Sequence, residues 1–266
     1  MKIKIKTVLL IALLTVFAFS SMDCTFKRYD KREVSEYKVN LAGKTKVTLE
    51  NFSGRIKVFK GDSATGLVIK VEKIAHVKKR DLGKPFSEAW VNIDSSSEIV
   101  RITSGYEKSK GWLKFQFNDH DANSTDMNYD ITIPPGVKLS IENVNGDVDF
   151  TNIENDLDIS IINGDMDVDN ISGNNNINIT NGKLTGTLDS TKGLKVDIIN
   201  GKVDLALGSK FSANFKAETI TGRIEQENLN FATLSSEKKT LRGRLGESNA
   251  EVNIDIANGK IILKGK

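Results

Sequence analysis

Asn143-Val-Asn-Gly-Asp-Val-Asp, Ile161-Ile-Asn-Gly-Asp-Met-Asp, Ile179-Thr-Asn-Gly-Lys-Leu-Thr and Ile198-Ile-Asn-Gly-Lys-Val-Asp are four copies of one phrase. Their glycines, Gly146, Gly164, Gly182 and Gly201, stand 18, 18 and 19 residues apart. A short fixed period over several copies is the mark of a repeat architecture. Within a copy the apolar residues alternate. Leu157, Ile159 and Ile161 precede the turn, Met166 and Val168 follow it, and Asp158, Ser160 and Asp167 fall between. Period-two alternation with β-branched residues reads as strand with one buried face. Asn-Gly supplies the turn, because glycine takes positive φ freely and asparagine tolerates it.

Two architectures fit these strands. Antiparallel hairpins would place each Asn-Gly in a tight two-residue loop. A single-stranded β-solenoid, or β-helix, would wind one coil per copy, with coils about 4.8 Å apart. The constant period favours the solenoid, since stacked coils require the same residue at the same place. Asn145, Asn163, Asn181 and Asn200 would then form a ladder of hydrogen-bonded amides. The pattern continues more weakly through Thr221-Gly222 and Asn258-Gly259. The first is a coil of 21 residues, and the gap of 37 to the second is about two coils. One turn is expected to be lost to the basic segment 228–247. The expected fold is thus all-β, with about 18–21 residues per coil over residues 137–266.

Residues 36–136 read as a less regular β-rich part. Asn51-Phe-Ser-Gly-Arg-Ile-Lys-Val-Phe is an early relative of the repeat phrase, with Ser53-Gly54 in the turn. Residues 77–89 carry a basic run with room for one short helix. Residues 1–21 have the form of an export signal: Lys2, Lys4 and Lys6, then an apolar run from Val8 to Phe19 too short to span a membrane. Removing those lysines takes the formal charge from +3 to about zero, so charge gives no reason to expect nucleic acid as a partner. Residues 22–35 suit a charged tether. Cys24 is the only cysteine. It is placed as a bacterial lipid anchor would be, although Asp23 departs from the small residues usual there. The alternative is ordinary cleavage that leaves a stray thiol.

The segment Ile131-Thr-Ile-Pro-Pro-Gly-Val-Lys-Leu-Ser-Ile-Glu-Asn-Val-Asn-Gly-Asp-Val resembles the entry phrase of a bacterial β-strand-repeat family known as putative adhesins, a domain of unknown function. The serial Asn-Gly-Asp turns resemble it too. So does Gly243-Arg-Leu-Gly246 followed by Val252-Asn-Ile-Asp-Ile-Ala-Asn-Gly-Lys-Ile. The resemblance covers residues 36–266. It implies an exported or surface β-solenoid, with either an adhesive or an envelope-stress sensing role. It supplies no catalytic residues to carry over.

The residues themselves give little chemistry. Asp147, Asp149, Asp165 and Asp167 would stack and invite calcium, but Lys183 and Lys202 break the acidic ladder. The two histidines, His76 and His120, lack any accompanying catalytic motif. His76 is expected to be simply exposed on a strand. No catalytic residue, cofactor or metal is therefore expected. The structural turns are Asn145, Gly146, Asn163, Gly164, Asn181, Gly182, Asn200, Gly201, Gly222, Asn258 and Gly259. The function expected is non-enzymatic adhesin-like binding or scaffolding at the outer surface or in the periplasm, toward an envelope or extracellular protein or glycan. An envelope-stress accessory with a membrane partner and a polysaccharide-acting β-helix enzyme are the alternatives.

Overall fold

Each copy of the repeat folds as two strand limbs that meet at its Asn-Gly pair, as separate strands in the first copies and as one continuous strand in the later ones. The structure, a computed structural model, describes residues 28–78, 89–106, 124–247 and 249–266. Among these residues there is no helix, and seventeen strands join one strongly curled mixed sheet. In chain order they begin with β1 (Arg28–Val39), β2 (Lys46–Ser53), β3 (Ile56–Lys60), β4 (Leu67–Lys78), β5 (Ala89–Asp94) and β6 (Ile99–Tyr106). Then come β7 (Ser124–Ile133), β8 (Lys138–Asn145), β9 (Val148–Ile153), β10 (Leu157–Asn163) and β11 (Met166–Ile171). The last six are β12 (Asn174–Leu188), β13 (Gly193–Leu207), β14 (Ala213–Glu227), β15 (Thr233–Ser236), β16 (Thr240–Leu245) and β17 (Glu251–Gly265).

Successive copies pair in parallel, each residue against its equivalent in the next copy. Ile159 lies between Ile141 and Ile177, and Met166 lies between Val148 and Leu184. β12 runs straight through Asn181 and Gly182 and registers them with Asn200 and Gly201 on β13. The hairpin alternative is therefore excluded. Ser53-Gly54, between β2 and β3, forms the rung before Asn145-Gly146, although 92 residues separate the two glycines.

A uniformly single-stranded solenoid is not formed, because the sheet is mixed. β4 pairs antiparallel with β1 and β7, β5 with β6, and β16 with β14 and β15. The order of the last rungs also differs from expectation. β17 lies between β13 and β14, so Asn258-Gly259 sits next to Asn200-Gly201, and Gly222 comes last. Segment 228–247 is not a lost coil. It supplies β15 and β16, which fold back over β14 and cover an otherwise bare strand edge. The tether also ends early. Residues 28–39 pair along their whole length with β4, because a charged strand is tolerated at a sheet edge. Of the basic run at 77–89, Val77 and Lys78 belong to β4, and residues 79–88 lie outside the described residues.

The core is a set of apolar columns along the stack. One reads Leu49, Ile141, Ile159, Ile177, Val196 and Ile254, all essentially inaccessible. Burying each such side chain contributes about 1.5–3 kcal/mol, and one continuous cluster runs from Val47 to Leu263. At the far end Phe215 packs edge-on against Phe231, with ring centroids 5.5 Å apart.

Candidate functional site

The corner where the two limbs of each rung meet is the most regular surface of the molecule. A β-carbon on any of its glycines would run into the carbonyl of the next glycine: Gly146 into Gly54, Gly164 into Gly146, Gly182 into Gly164, Gly201 into Gly182, Gly259 into Gly201, and Gly222 into Gly259. The glycines thus form one column in which backbone touches backbone. Gly146 has φ of 129°, in the region L-residues avoid. Gly164 is outside that region, so only the close approach demands its glycine.

Beside the glycines the asparagine amides form a ladder. Asn163 Nδ2 donates to Asn145 Oδ1 at 3.0 Å, Asn181 to Asn163 at 2.9 Å, Asn200 to Asn181 at 3.0 Å, and Asn258 to Asn200 at 3.0 Å. Each amide has a second N–H left over. Thr221 ends the row opposite Asn258. Before the asparagines stand exposed isoleucines, Ile162, Ile199 and, at 73% exposure, Ile220. At the first rungs a second, buried asparagine ladder stands in the column that Ile161 and Ile179 fill further on. Asn51 Nδ2 donates to Asn143 Oδ1 at 3.1 Å, and Asn143 Nδ2 donates to the carbonyls of Gly146 at 2.8 Å and Gly54 at 3.2 Å.

The acidic residues of the turns are occupied. Asp147 Oδ1 accepts the backbone N–H of Asp165, and Asp165 Oδ1 accepts that of Lys183, both at 2.9 Å. Asp149 pairs with Arg55. Among the described residues no group of three or more Asp, Glu, His or Cys side chains is placed to hold a metal ion.

His76 is not simply exposed. Its ring bridges Asp30 on β1, through Nδ1 at 2.8 Å, and Asp126 on β7, through Nε2 at 3.1 Å. Burial alone would lower this histidine. Hydrogen bonds to Asp126 and Asp30, together with their charges, outweigh that and leave it above its ordinary value. Ser53 Oγ donates to Asp126 at 2.5 Å. The serine thus meets a carboxylate, and both ring nitrogens face carboxylates. The hydroxyl meets that carboxylate and not the imidazole, so the Ser-His-Asp grouping lacks the serine-to-histidine contact of an activated nucleophile. The signal for this bridge was in the strand register, which brings position 76 opposite position 30; periodicity alone does not reveal it. Cys24 and His120 lie outside the described residues.

The Toastrack DUF4097 family matches residues 69–264, and the chain belongs to that family. Two solved structures are distantly similar. A putative cell adhesion protein from Clostridium sporogenes shares 18% identity, with 89% of this chain and 100% of that chain covered and a TM-score of 0.46. A putative adhesin from Bacteroides fragilis shares 14% identity, with 89% and 97% covered and a TM-score of 0.41. No curated protein is significantly similar to this chain.

Proposed function

We propose that this chain is an exported, non-enzymatic, adhesin-like binding or scaffolding protein of the bacterial cell envelope, with its repeats wound as a β-solenoid. The observation that carries the proposal is the corner. Seven stacked glycines and an unbroken amide ladder build a long, flat, repetitive surface, which suits an extended partner better than a small substrate. Among the described residues its turn carboxylates Asp147 and Asp165 serve the fold, and the His76 cluster with Asp30 and Asp126 joins strands. Export through residues 1–21 and lipid attachment at Cys24 belong to the same proposal. The test is fractionation of cells expressing the full chain, with palmitate labelling and external protease. The expected result is protein in the envelope fraction, cut by protease from outside, with label lost in Cys24→Ser. Protein confined to the cytosol would refute export. Envelope protein protected from protease would favour the periplasmic partner role.

A further inference from the structure

One residue past the glycines the corner carries a charge column. In stack order it reads Arg55, Asp147, Asp165, Lys183, Lys202, Lys260 and Arg223. Two acids follow Arg55, and beyond them four cations stand on four adjacent rungs. Like charges one strand apart, about 4.8 Å, repel, and the fold relieves that only in part. Asp204 is shared between Lys202 at 2.6 Å and Lys264 at 3.2 Å. Glu225 is shared between Arg223 at 2.6 Å and Lys260 at 2.5 Å. Lys260 and Arg223 hold Glu225 below its ordinary pKa. Asp204 is also lowered, although burial pulls it the other way. Both carboxylates sit in a positive field. The end cap then adds a further cation: the Lys238 carbonyl accepts Ile224 N–H at 3.1 Å, which holds that stretch beside the column. Lys202, Lys260, Arg223 and Lys238 line a shallow groove whose floor is Gly201, Gly259 and Gly222.

We infer that this groove binds a linear acidic polysaccharide, laid along the stack with its carboxylates over the cation column. The inference rests on the adhesin-like role proposed above and names its ligand class. Three features select this chemistry. The glycine floor has no side chains, so a polymer can approach the backbone. The neighbouring amides of Asn200 and Asn258 keep N–H groups free for hydroxyl oxygens. The cations recur once per rung, as the acid of a repeating sugar does. A lipid surface calls for a continuous apolar face, whereas the polar Thr180 interrupts the row between Ile162 and Ile199. A nucleic acid calls for stacking aromatics, and none lines the groove.

The test is affinity electrophoresis of the full chain in gels containing polygalacturonate, with its fully methyl-esterified form as the neutral comparison. Polygalacturonate should retard the protein, less so as salt rises, and the ester should not. Combining Lys202→Gln, Lys260→Gln and Arg223→Gln should weaken binding about tenfold. Combining Lys38→Gln, Lys46→Gln and Lys70→Gln, an equal charge change elsewhere, should leave it unchanged. Melting curves of both triple variants check folding, and Arg223→Gln alone carries the test if the first triple is unfolded. No retardation of the wild type, or equal weakening by both triples, would overturn the inference. Binding to phosphatidylglycerol vesicles that is lost in Ile220→Ser, with none to polygalacturonate, would overturn it in favour of a membrane surface. Envelope exposure without polygalacturonate binding would sink this inference alone and leave the adhesin-like role standing.

Discussion

Gly164→Ala is the substitution that puts the stacked corner at risk most directly. Its β-carbon would lie 2.7 Å from the carbonyl carbon of Gly146, whereas ordinary contact begins at 3.4 Å. The two rungs must separate by roughly that shortfall, because backbone stands on both sides of the gap. Four hydrogen bonds cross it: Gly146 N–H to Asn163 O, Val148 N–H to Asp165 O, Asn163 Nδ2 to Asn145 Oδ1, and Asp165 N–H to Asp147 Oδ1. All are 2.9–3.0 Å long, and the separation would take them out of range. At about 1 kcal/mol for each bond lost, the cost is about 3–4 kcal/mol. Gly43→Ala is the matched comparison. Gly43 has φ of +72° with nothing within 4 Å of its would-be β-carbon, so only the left-handed backbone is penalised, at about 1 kcal/mol. Urea titration followed by circular dichroism measures both. Gly164→Ala should be the more destabilising by about 2 kcal/mol or more. Equal costs would mean that the rungs are not held at van der Waals limit and that close approach is not what requires glycine at position 164.

Three further outcomes are expected. His76 is raised above its ordinary value by Asp126 and Asp30, so its stabilisation is complete below the unfolded value of about 6.5 and is lost as pH rises through the folded one. His76→Gln should therefore cost more at about pH 5.5 than at about pH 8.5, by less than about 1 kcal/mol for a half-exposed pair; a cost independent of pH would refute the bridge. Asn143→Ala would strip the buried carbonyls of Gly54 and Gly146 and the Asn51 amide of a partner, which should cost about 2–4 kcal/mol in the same titration. Because Asp147 and Asp165 already cap backbone amides, melting curves in about millimolar calcium and in chelator should superimpose; a raised midpoint in calcium would show a site that these capping bonds do not prevent.

The parallel stacking was legible because Asn-Gly recurs at a fixed interval with apolar residues in phase on both sides. Even the distant Ser53-Gly54 rung could be picked out by its flanks. The far corner was harder to see, although its sign was present. Asn152 and Asn170 are 18 residues apart, and both adopt left-handed φ, 54° and 60°. One asparagine without a following glycine is too common to mark a turn. The first part of β1 was hidden by its charges; alternation shows only toward its end, where Tyr37 and Val39 pack against the core.

The order of the last rungs was illegible for a deeper reason. In a stack of like rungs, every rung presents the same register and nearly the same columns to either neighbour. Val203 finds an equivalent partner whether the next rung supplies Ile261 or Ile224, so periodicity does not encode which comes first. The ends decide it. Gln226 of β14 stands where Leu263 of β17 and Leu205 of β13 are buried, and a polar side chain at that place is cheaper on the last rung than between two others. β14 is also the strand that β16 covers. Chain order alone would have left Lys260 outside Arg223. The exchange seats Lys260 between Lys202 and Arg223, so the same preference that ends the sheet also sets the order of the cations along the column.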